Sequence, residues 1–203
     1  MSDQMIEIDT PHGPARAHLD PVEDPRAAIA LGHGAGGGVH AKDLIAASAA
    51  ARARGVTVVL VEQPYRVAGR RAAAPARQLD AAWIAVLEHL RAHELHGLPV
   101  IVGGRSSGAR VACRTAAATG ASGVLCLAFP LRPPGGEDAP SRQPELDAVT
   151  VPVLIVQGVR DPFGMPVASP AREVVEIAGD HRLASDLPSL SAAVAGWLAR
   201  LAL

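Results

Sequence analysis

Short apolar runs of strand length alternate along this chain with longer segments of helical period. The clearest strand is VTVVLV at 56–61, which is apolar except for one threonine, and a helix-spaced apolar face follows it at 75–93. Strands without a polar side must be covered on both faces, and helices between them favour right-handed crossovers and a mostly parallel sheet. The pattern therefore predicts a three-layer α/β domain.

The predicted elements extend over the whole chain. An antiparallel hairpin at 5–8 and 15–19 opens it, and the further strands are 27–31, 56–61, 99–103, 123–128, 152–158 and 173–177. The predicted helices are 41–54, 75–93, 107–119 and 189–203. One long Pro-rich loop remains at 130–149, and long ordered loops tend to lie over functional sites. Without a linker or a repeat, residues 1–203 are predicted to form a single domain that has no large cap.

Charge and composition argue against several partners. The 19 Lys and Arg residues nearly balance the 20 Asp and Glu residues, and they are scattered, so no nucleic-acid-binding surface is expected. No apolar run is long enough to span a membrane, and the first ten residues lack a signal-peptide pattern. We therefore expect a cytoplasmic protein with a small-molecule substrate and no membrane partner. The Ala- and Gly-rich composition, with Lys42 as the one lysine, is typical of a bacterial protein.

The two cysteines give no sign of redox or metal chemistry. Cys113 falls in a helix and Cys126 in a strand, and both segments are predicted to be buried. A buried thiol usually behaves as a small apolar side chain, and two isolated cysteines make a poor metal site. Neither a disulfide nor a bound metal is expected, and the sequence leaves both a monomer and a dimer open.

The octamer GGRSSGAR at 103–110 follows one predicted strand and opens a predicted helix. Gly104, Ser106 and Gly108 fit the pattern GxSxG, in which a serine stands on a tight strand-to-helix turn whose neighbours must lack bulk. The pattern predicts Ser106 as a nucleophile at the carboxyl edge of the sheet. The alternative is an ordinary glycine-rich turn in which Ser107 caps the helix.

A second glycine-rich stretch, LGHGAGGG at 31–38, ends an earlier strand. A His-Gly loop in this position can supply one backbone N–H of an oxyanion hole, and the residue after the nucleophile supplies the other. Ala35 is the first candidate donor, with Gly36 as the alternative, and Ser107 is the second donor. The candidate substrate contacts are His33, Gly34, Gly36 and Arg105. Arg105 could also form a clamp for an anionic acyl group with the arginines at 66, 70 and 71, although charged side chains are more often solvated.

The same glycines have a rival interpretation. Gly32, Gly34 and Gly37 match GxGxxG, and Glu62 ends the following strand where a ribose-binding acid is expected, which would indicate an NAD(P)-binding oxidoreductase. A hairpin precedes this loop, however, whereas the dinucleotide fingerprint normally opens the first βαβ unit. His33 would also crowd the pyrophosphate turn. The interpretation of this loop as a donor to an oxyanion is therefore preferred.

Two later residues complete a catalytic set. Asp161 lies three residues past the predicted strand 152–158, and His181 lies between the last strand and the last helix. A carboxylate there can orient a histidine, which in turn can take the proton of a serine. Asp180 adjoins His181 and Asp186 follows it, so both are weaker candidates. The order Ser, Asp, His is that of α/β hydrolases.

With these motifs the chain resembles the α/β-hydrolase superfamily, and more narrowly its small, capless bacterial members that are similar to dienelactone hydrolases. The resemblance covers nearly the whole chain and rests on LGHGAGGG, EQPYRVAGRR, GGRSSGARVA, LAFPLRPPGG, VLIVQGVRDPFG and GDHRL. Dienelactone hydrolases proper use a cysteine nucleophile, so their substrate does not carry over to this serine.

The resemblance implies a carboxylesterase-like serine hydrolase that cleaves an ester, a thioester or a similarly activated acyl bond. Its triad maps onto Ser106, Asp161 and His181, and no metal or organic cofactor is required. The alternative is a protein that keeps the fold as a non-catalytic binding or scaffold surface.

Overall fold

The computed structural model describes residues 4–133 and 139–202. Its strands are β1 (Gln4–Ile8), β2 (Ala15–Asp20), β3 (Ala27–Gly32), β4 (Val56–Glu62), β5 (Val100–Arg105), β6 (Gly123–Leu127), β7 (Val153–Gly158) and β8 (Arg172–Ile177). Its helices are α1 (Lys42–Arg52), α2 (Pro64–Val67), α3 (Ala76–Ala92), α4 (Ser107–Thr115), α5 (Gln143–Asp147) and α6 (Leu187–Arg200).

All the strands belong to one twisted sheet in the order β1-β2-β4-β3-β5-β6-β7-β8. The hairpin β1–β2 and the pair β2–β4 are antiparallel, and the remaining pairs are parallel. The predicted α/β domain with an N-terminal antiparallel hairpin is confirmed, and none of the described residues forms a cap domain over the sheet. The carboxyl ends of the parallel strands therefore share one open edge.

Helices cover both faces of the sheet, which explains why its central strands lack a polar side. Along β5, Val100 and Val102 face the layer of α3 and α4, while Ile101 faces the layer of α1 and α6. Trp83 of α3 and Trp197 of α6 are the large side chains of the two layers, and both are buried. This alternation with period two is what a strand buried on both sides requires.

The structure corrects several predicted boundaries. Helix α4 ends at Thr115 rather than 119, and α6 spans Leu187–Arg200 rather than 189–203; Leu203 lies outside the described residues. Helix α6 starts early because the side chain of Asp186 caps it by accepting a hydrogen bond from the Ser189 N–H at 3.1 Å. The predicted loop at 130–149 contains α5, and its residues 134–138 lie outside the described part.

Two one-turn helices, α2 and α5, have no counterpart in the prediction. Each has a proline in its first turn, and each is too short for a helical period to appear in the sequence. In the described part of the chain, the longest helix has 17 residues and no helix meets the length and hydropathy that a membrane crossing demands. The same residues contain no group of three or more His, Cys, Asp or Glu side chains arranged to hold a metal ion.

Candidate active site

Ser106 is the single residue between β5 and α4. Its backbone has φ 52° and ψ −108°, a conformation that residues other than glycine rarely adopt. Such a conformation costs about 1–3 kcal/mol and persists only where the surroundings enforce it. The N–H of Ser106 donates to the carbonyl of Leu127 at 2.9 Å, which fixes the turn to the end of β6. This strand-to-helix turn at 104–108, here called the elbow, therefore presents the Ser106 hydroxyl at the open edge of the sheet.

The glycines two residues before and after Ser106 are required by space. A Cβ added at Gly104 or at Gly108 would lie 2.4 Å from the carbonyl oxygen of Gly32. No neighbour can yield there, because the obstructing atom belongs to the backbone of β3. The elbow and the first glycine-rich loop are thus packed directly against each other, which brings Ser106 next to residues 33–36.

The three predicted residues meet at this edge in one hydrogen-bonded chain. His181 Nε2 lies 2.9 Å from Ser106 Oγ, and His181 Nδ1 lies 2.8 Å from Asp161 Oδ2. The Asp161 side chain is 1% exposed and that of His181 is 16% exposed, so the carboxylate is buried while the imidazole borders solvent. With Nδ1–H donating to Asp161, Nε2 is left to accept the Ser106 O–H, which is the tautomer that proton removal from serine needs.

Two residues that the sequence analysis missed support Asp161. The Gln157 side-chain amide donates to Asp161 Oδ2 at 2.8 Å, and the Phe163 N–H donates to Oδ1 at 2.9 Å. The Phe163 ring also packs edge-on against the His181 ring, with 4.5 Å between centroids. Gln157 is fully buried in β7, and a glutamine inside an otherwise apolar strand was the signal that could have identified it, because a buried amide requires partners.

Arg105 and Gly158 bring the His181 loop to the elbow. A Cβ at Gly158 would lie 2.5 Å from the carbonyl oxygen of Asp180, so only glycine allows this approach. Arg105 Nη2 donates to the carbonyl of His181 at 3.0 Å, and Arg105 Nε lies 2.8 Å from Asp43 Oδ2. Burial raises the pKa of Asp43, and the Arg105 guanidinium opposes that rise. The sequence predicts Arg105 as a substrate contact. In the structure Arg105 borders the cavity, and its guanidinium group binds the loop that carries His181.

The first glycine-rich loop brings two of its predicted residues to the site. Ala35 and Gly36 border the same cavity as Ser106 and Ser107. Among the described residues, none accepts a hydrogen bond from the N–H of Ala35, Gly36 or Ser107. The Tyr65 hydroxyl donates to the Ala35 carbonyl at 3.1 Å and so fixes the peptide unit between Ala35 and Gly36. These backbone amides are free to receive an oxyanion.

His33 and Gly34 lie behind this loop instead of in the cavity. His33 is 3% exposed, its Nδ1 donates to the Gly34 carbonyl at 2.9 Å, and its Nε2 accepts from the Gln63 N–H at 3.1 Å. Burial lowers the pKa of His33, which agrees with a neutral ring that accepts at Nε2. The expected substrate contact is therefore a buried support that holds the Gly34 carbonyl in place.

The cavity beside Ser106 has a volume of about 460 Å³. Its lining residues are Ala35, Gly36, Ala73, Ala74, Ala76, Leu79, Arg105, Ser106, Ser107, Arg110, Arg114, Pro130, Arg142, Phe163 and His181. The arginines at 66, 70 and 71, which the sequence suggested as an anion clamp, are not among these described lining residues. Arg70 lines a separate cavity of about 210 Å³.

The described residues lack the features of a dinucleotide site. Helix α1 begins at Lys42, ten residues past Gly32, whereas the fingerprint places the helix directly after its glycines. Glu62 Oε2 lies 3.3 Å from His18 Nε2, in a side-chain contact between β4 and β2. The Gly32 backbone is packed against the elbow, so the rival interpretation of this loop does not hold.

The sheet order, the elbow and the Ser–His–Asp chain at its open edge define the class: a capless domain of the α/β-hydrolase fold. The chain belongs to the alpha/beta hydrolase domain family, whose model matches residues 25–184. A search of the curated proteins finds no sequence match.

Solved structures share the fold over almost the whole chain. An α/β serine hydrolase without a lid from Xanthomonas campestris is 23% identical, with a TM-score of 0.76 over 97% of this chain and 94% of that one. An α/β serine hydrolase homologue from Coxiella burnetii is 18% identical, with a TM-score of 0.80 over 98% of both chains. A dienelactone hydrolase from Anabaena variabilis is 14% identical, with a TM-score of 0.77 over 98% of both chains.

Proposed function

We propose that this protein is a serine hydrolase of the carboxylesterase type, which cleaves an ester, a thioester or a similarly activated acyl bond of a small molecule. The observation that carries the proposal is the continuous chain from Ser106 Oγ through the His181 ring to the buried Asp161 carboxylate. The serine hydrolases among proteins of the same fold support it. Serine, base and orienting acid are also in the chain order that this fold uses.

In the proposed reaction Ser106 Oγ attacks the acyl carbonyl carbon while His181 Nε2 takes the hydroxyl proton. Asp161 holds the ring through Nδ1 and stabilises the imidazolium. The tetrahedral intermediate then collapses, the bond to the leaving group breaks, and His181 returns the proton to that group. A water molecule, deprotonated by His181, hydrolyses the acyl-enzyme in the second half of the cycle and regenerates the Ser106 hydroxyl.

The negative charge that develops on the carbonyl oxygen needs donors beside Ser106. The Ser107 N–H at the start of α4 is one, and the N–H of Ala35 or, as the alternative, of Gly36 is the other. Donors of this kind contribute about 3–4 kcal/mol each to transition-state stabilisation. The proposed mechanism uses side chains and backbone groups of this chain together with one water molecule, and a cavity without a cap suits a small or exposed substrate.

Labelling with a fluorophosphonate probe tests the nucleophile. We expect the probe to modify Ser106 in the wild-type protein and to leave the Ser106→Ala variant unlabelled, as read by mass spectrometry of the intact protein and its peptides. Ser122→Ala is the matched control, because Ser122 precedes β6 at the opposite edge of the sheet. This control should label like the wild type.

Turnover of p-nitrophenyl acetate measures how much each residue of the proposed triad contributes to kcat. By analogy with subtilisin, Ser106→Ala or His181→Ala should lower kcat by roughly 10³- to 10⁶-fold, and Asp161→Ala by less. A folded wild-type protein that neither reacts with the probe nor turns over esters would instead support the non-catalytic binding or scaffold role. Full turnover by Ser106→Ala would show that another group performs the reaction.

A further inference from the structure

One wall of the cavity beside Ser106 is built from three arginines, Arg110, Arg114 and Arg142, here called the arginine wall. Arg110 and Arg114 lie four residues apart on α4, so they share one face of the helix. They stand one and two turns beyond Ser106, about 6 and 12 Å along the helix axis. Arg142 reaches the same cavity from the residue before α5.

The described carboxylates do not balance this wall. Glu145 pairs with Arg110 through two contacts of 2.9 and 2.5 Å, and Asp80 pairs with Arg114 through contacts of 2.8 and 2.6 Å. Arg114 also contacts Glu145, with 3.5 Å between Nη1 and Oε2. Among the described residues, two carboxylates therefore face three guanidinium groups, which leaves one positive charge over.

The unmatched charge is that of Arg142. Its Nη1 donates to the carbonyls of Pro130 and Arg132, at 3.1 and 3.4 Å, but no described carboxylate pairs with it. Burial, followed by repulsion from Arg110, lowers the pKa of Arg142. A cation in this position is stabilised when an anion binds beside it.

We propose that the arginine wall binds a carboxylate of the substrate, so that the preferred substrates carry a second, ionised carboxyl group several atoms from the reacting carbonyl. This inference rests on the proposed function and names its substrate class. A single surplus charge matches a monoanion. Ala73, Ala74 and Leu79 line the same cavity with apolar side chains, which suits a methylene chain that joins the two carbonyl groups.

The sequence alone suggested a different set of arginines. It offered a clamp of Arg105 with the arginines at 66, 70 and 71, against the commoner case of solvated side chains, but in the structure Arg105 holds Asp43 and the His181 loop. The wall combines one face of α4 with a residue from the far end of the loop after β6. Only the fold brings these two segments together.

Two esters with the same adipate chain test the arginine wall in the wild-type protein. Mono-p-nitrophenyl adipate carries a free carboxylate, and its methyl ester is neutral; the uncatalysed rate of each is subtracted. We expect kcat/KM to be at least about tenfold higher for the anionic ester at low ionic strength, with the preference shrinking as salt is added. Equal values of kcat/KM for the two esters would contradict carboxylate binding by the arginine wall without contradicting the proposed hydrolase activity.

Binding separates a failure of the wall from a failure of the proposed function. If neither ester is turned over, the hydrolase proposal fails, and the wall is then tested by calorimetry on Ser106→Ala with monomethyl adipate and dimethyl adipate. We expect the monoanion to bind at least about tenfold more tightly than the neutral diester. Equal affinity, or no binding of either compound, would overturn the inference.

Variants test which charged residue produces the preference for the anionic ester. Arg142→Gln should bring the preference for the anionic ester to within about twofold of unity, because kcat/KM should fall more for the anionic ester than for the methyl ester. Glu145→Gln removes a negative charge from the wall and should raise the preference. Arg200→Gln on α6, which packs on the opposite face of the sheet, is the matched control and should leave it unchanged. An equal fall for both esters in Arg142→Gln would mean that Arg142 only supports its loop, which would contradict the proposal.

Discussion

The two glycine-rich stretches at 31–38 and 103–110 look alike in sequence and differ in packing. In the second stretch a Cβ at Gly103, Gly104 or Gly108 would meet a backbone oxygen at 2.4 Å. In the first, a Cβ at Gly34 would lie 2.7 Å from Arg105 Nη1, but Cβ atoms at Gly36, Gly37 and Gly38 would meet nothing within 4 Å. The same residue type is therefore used for two reasons: to let two backbones touch at the elbow, and to leave backbone amides open to the cavity in the first loop.

This difference indicates how each half of the site is held. The elbow is enclosed by β3 and β6, and that packing maintains Ser106 at φ 52°. The first loop is held by individual hydrogen bonds, from His33 to the Gly34 carbonyl and from Tyr65 to the Ala35 carbonyl. The position of Ser106 should thus be sensitive to added volume, and that of the proposed oxyanion donors to the loss of single polar groups.

The largest effect is expected for Gly108→Ala compared with Gly38→Ala. The new Cβ at position 108 would overlap the Gly32 carbonyl, so we expect a loss of about 3 kcal/mol or more in the free energy of unfolding. Gly38→Ala meets open space and should change it by no more than about 0.5 kcal/mol. Denaturant unfolding monitored by circular dichroism measures both. Similar losses in the two variants would remove the distinction between the loops.

The sequence could predict what depends on local pattern and chain order. The sheet, its hairpin and the edge at which Ser106, Asp161 and His181 meet follow from strand periodicity and from the GxSxG turn. The roles of Gln157 and His33 could not be predicted in this way, because each depends on which backbone groups other segments bring to a buried side chain. His33 stands next to the proposed oxyanion donors in sequence, yet its ring points into the protein and contacts Gln63.

Arg105→Lys should have an intermediate effect, on kcat. Lysine keeps the charge beside Asp43 but lacks the planar fork that also reaches the His181 carbonyl, so the histidine loop should lose one anchor. We expect kcat for p-nitrophenyl acetate to fall about tenfold, with KM nearly unchanged and stability altered by less than about 1 kcal/mol.

The matched control for Arg105→Lys is Arg54→Lys, at an exposed residue before β4, which should behave like the wild type. A change in KM alone would indicate that Arg105 contacts the substrate, as the sequence suggested. A large loss of stability without a change in kcat would mean that the ion pair with Asp43 is its whole role.

The smallest effect is expected for Tyr65→Phe, which removes only the hydroxyl that holds the Ala35 carbonyl and keeps the ring against His33. Because the Gly34 carbonyl still accepts from His33 and from the Gly37 N–H, the loop retains its other anchors. We expect kcat to fall about threefold to fivefold, about 1 kcal/mol, with little change in the melting temperature. A loss of a hundredfold or more would show that the first loop is as strictly determined as the elbow, and unchanged kcat would show that the Tyr65 bond does not align the donors. Intermediate values would support a first loop that several weak contacts hold together, beside a Ser106 that close backbone packing and its hydrogen bond to Leu127 keep in place.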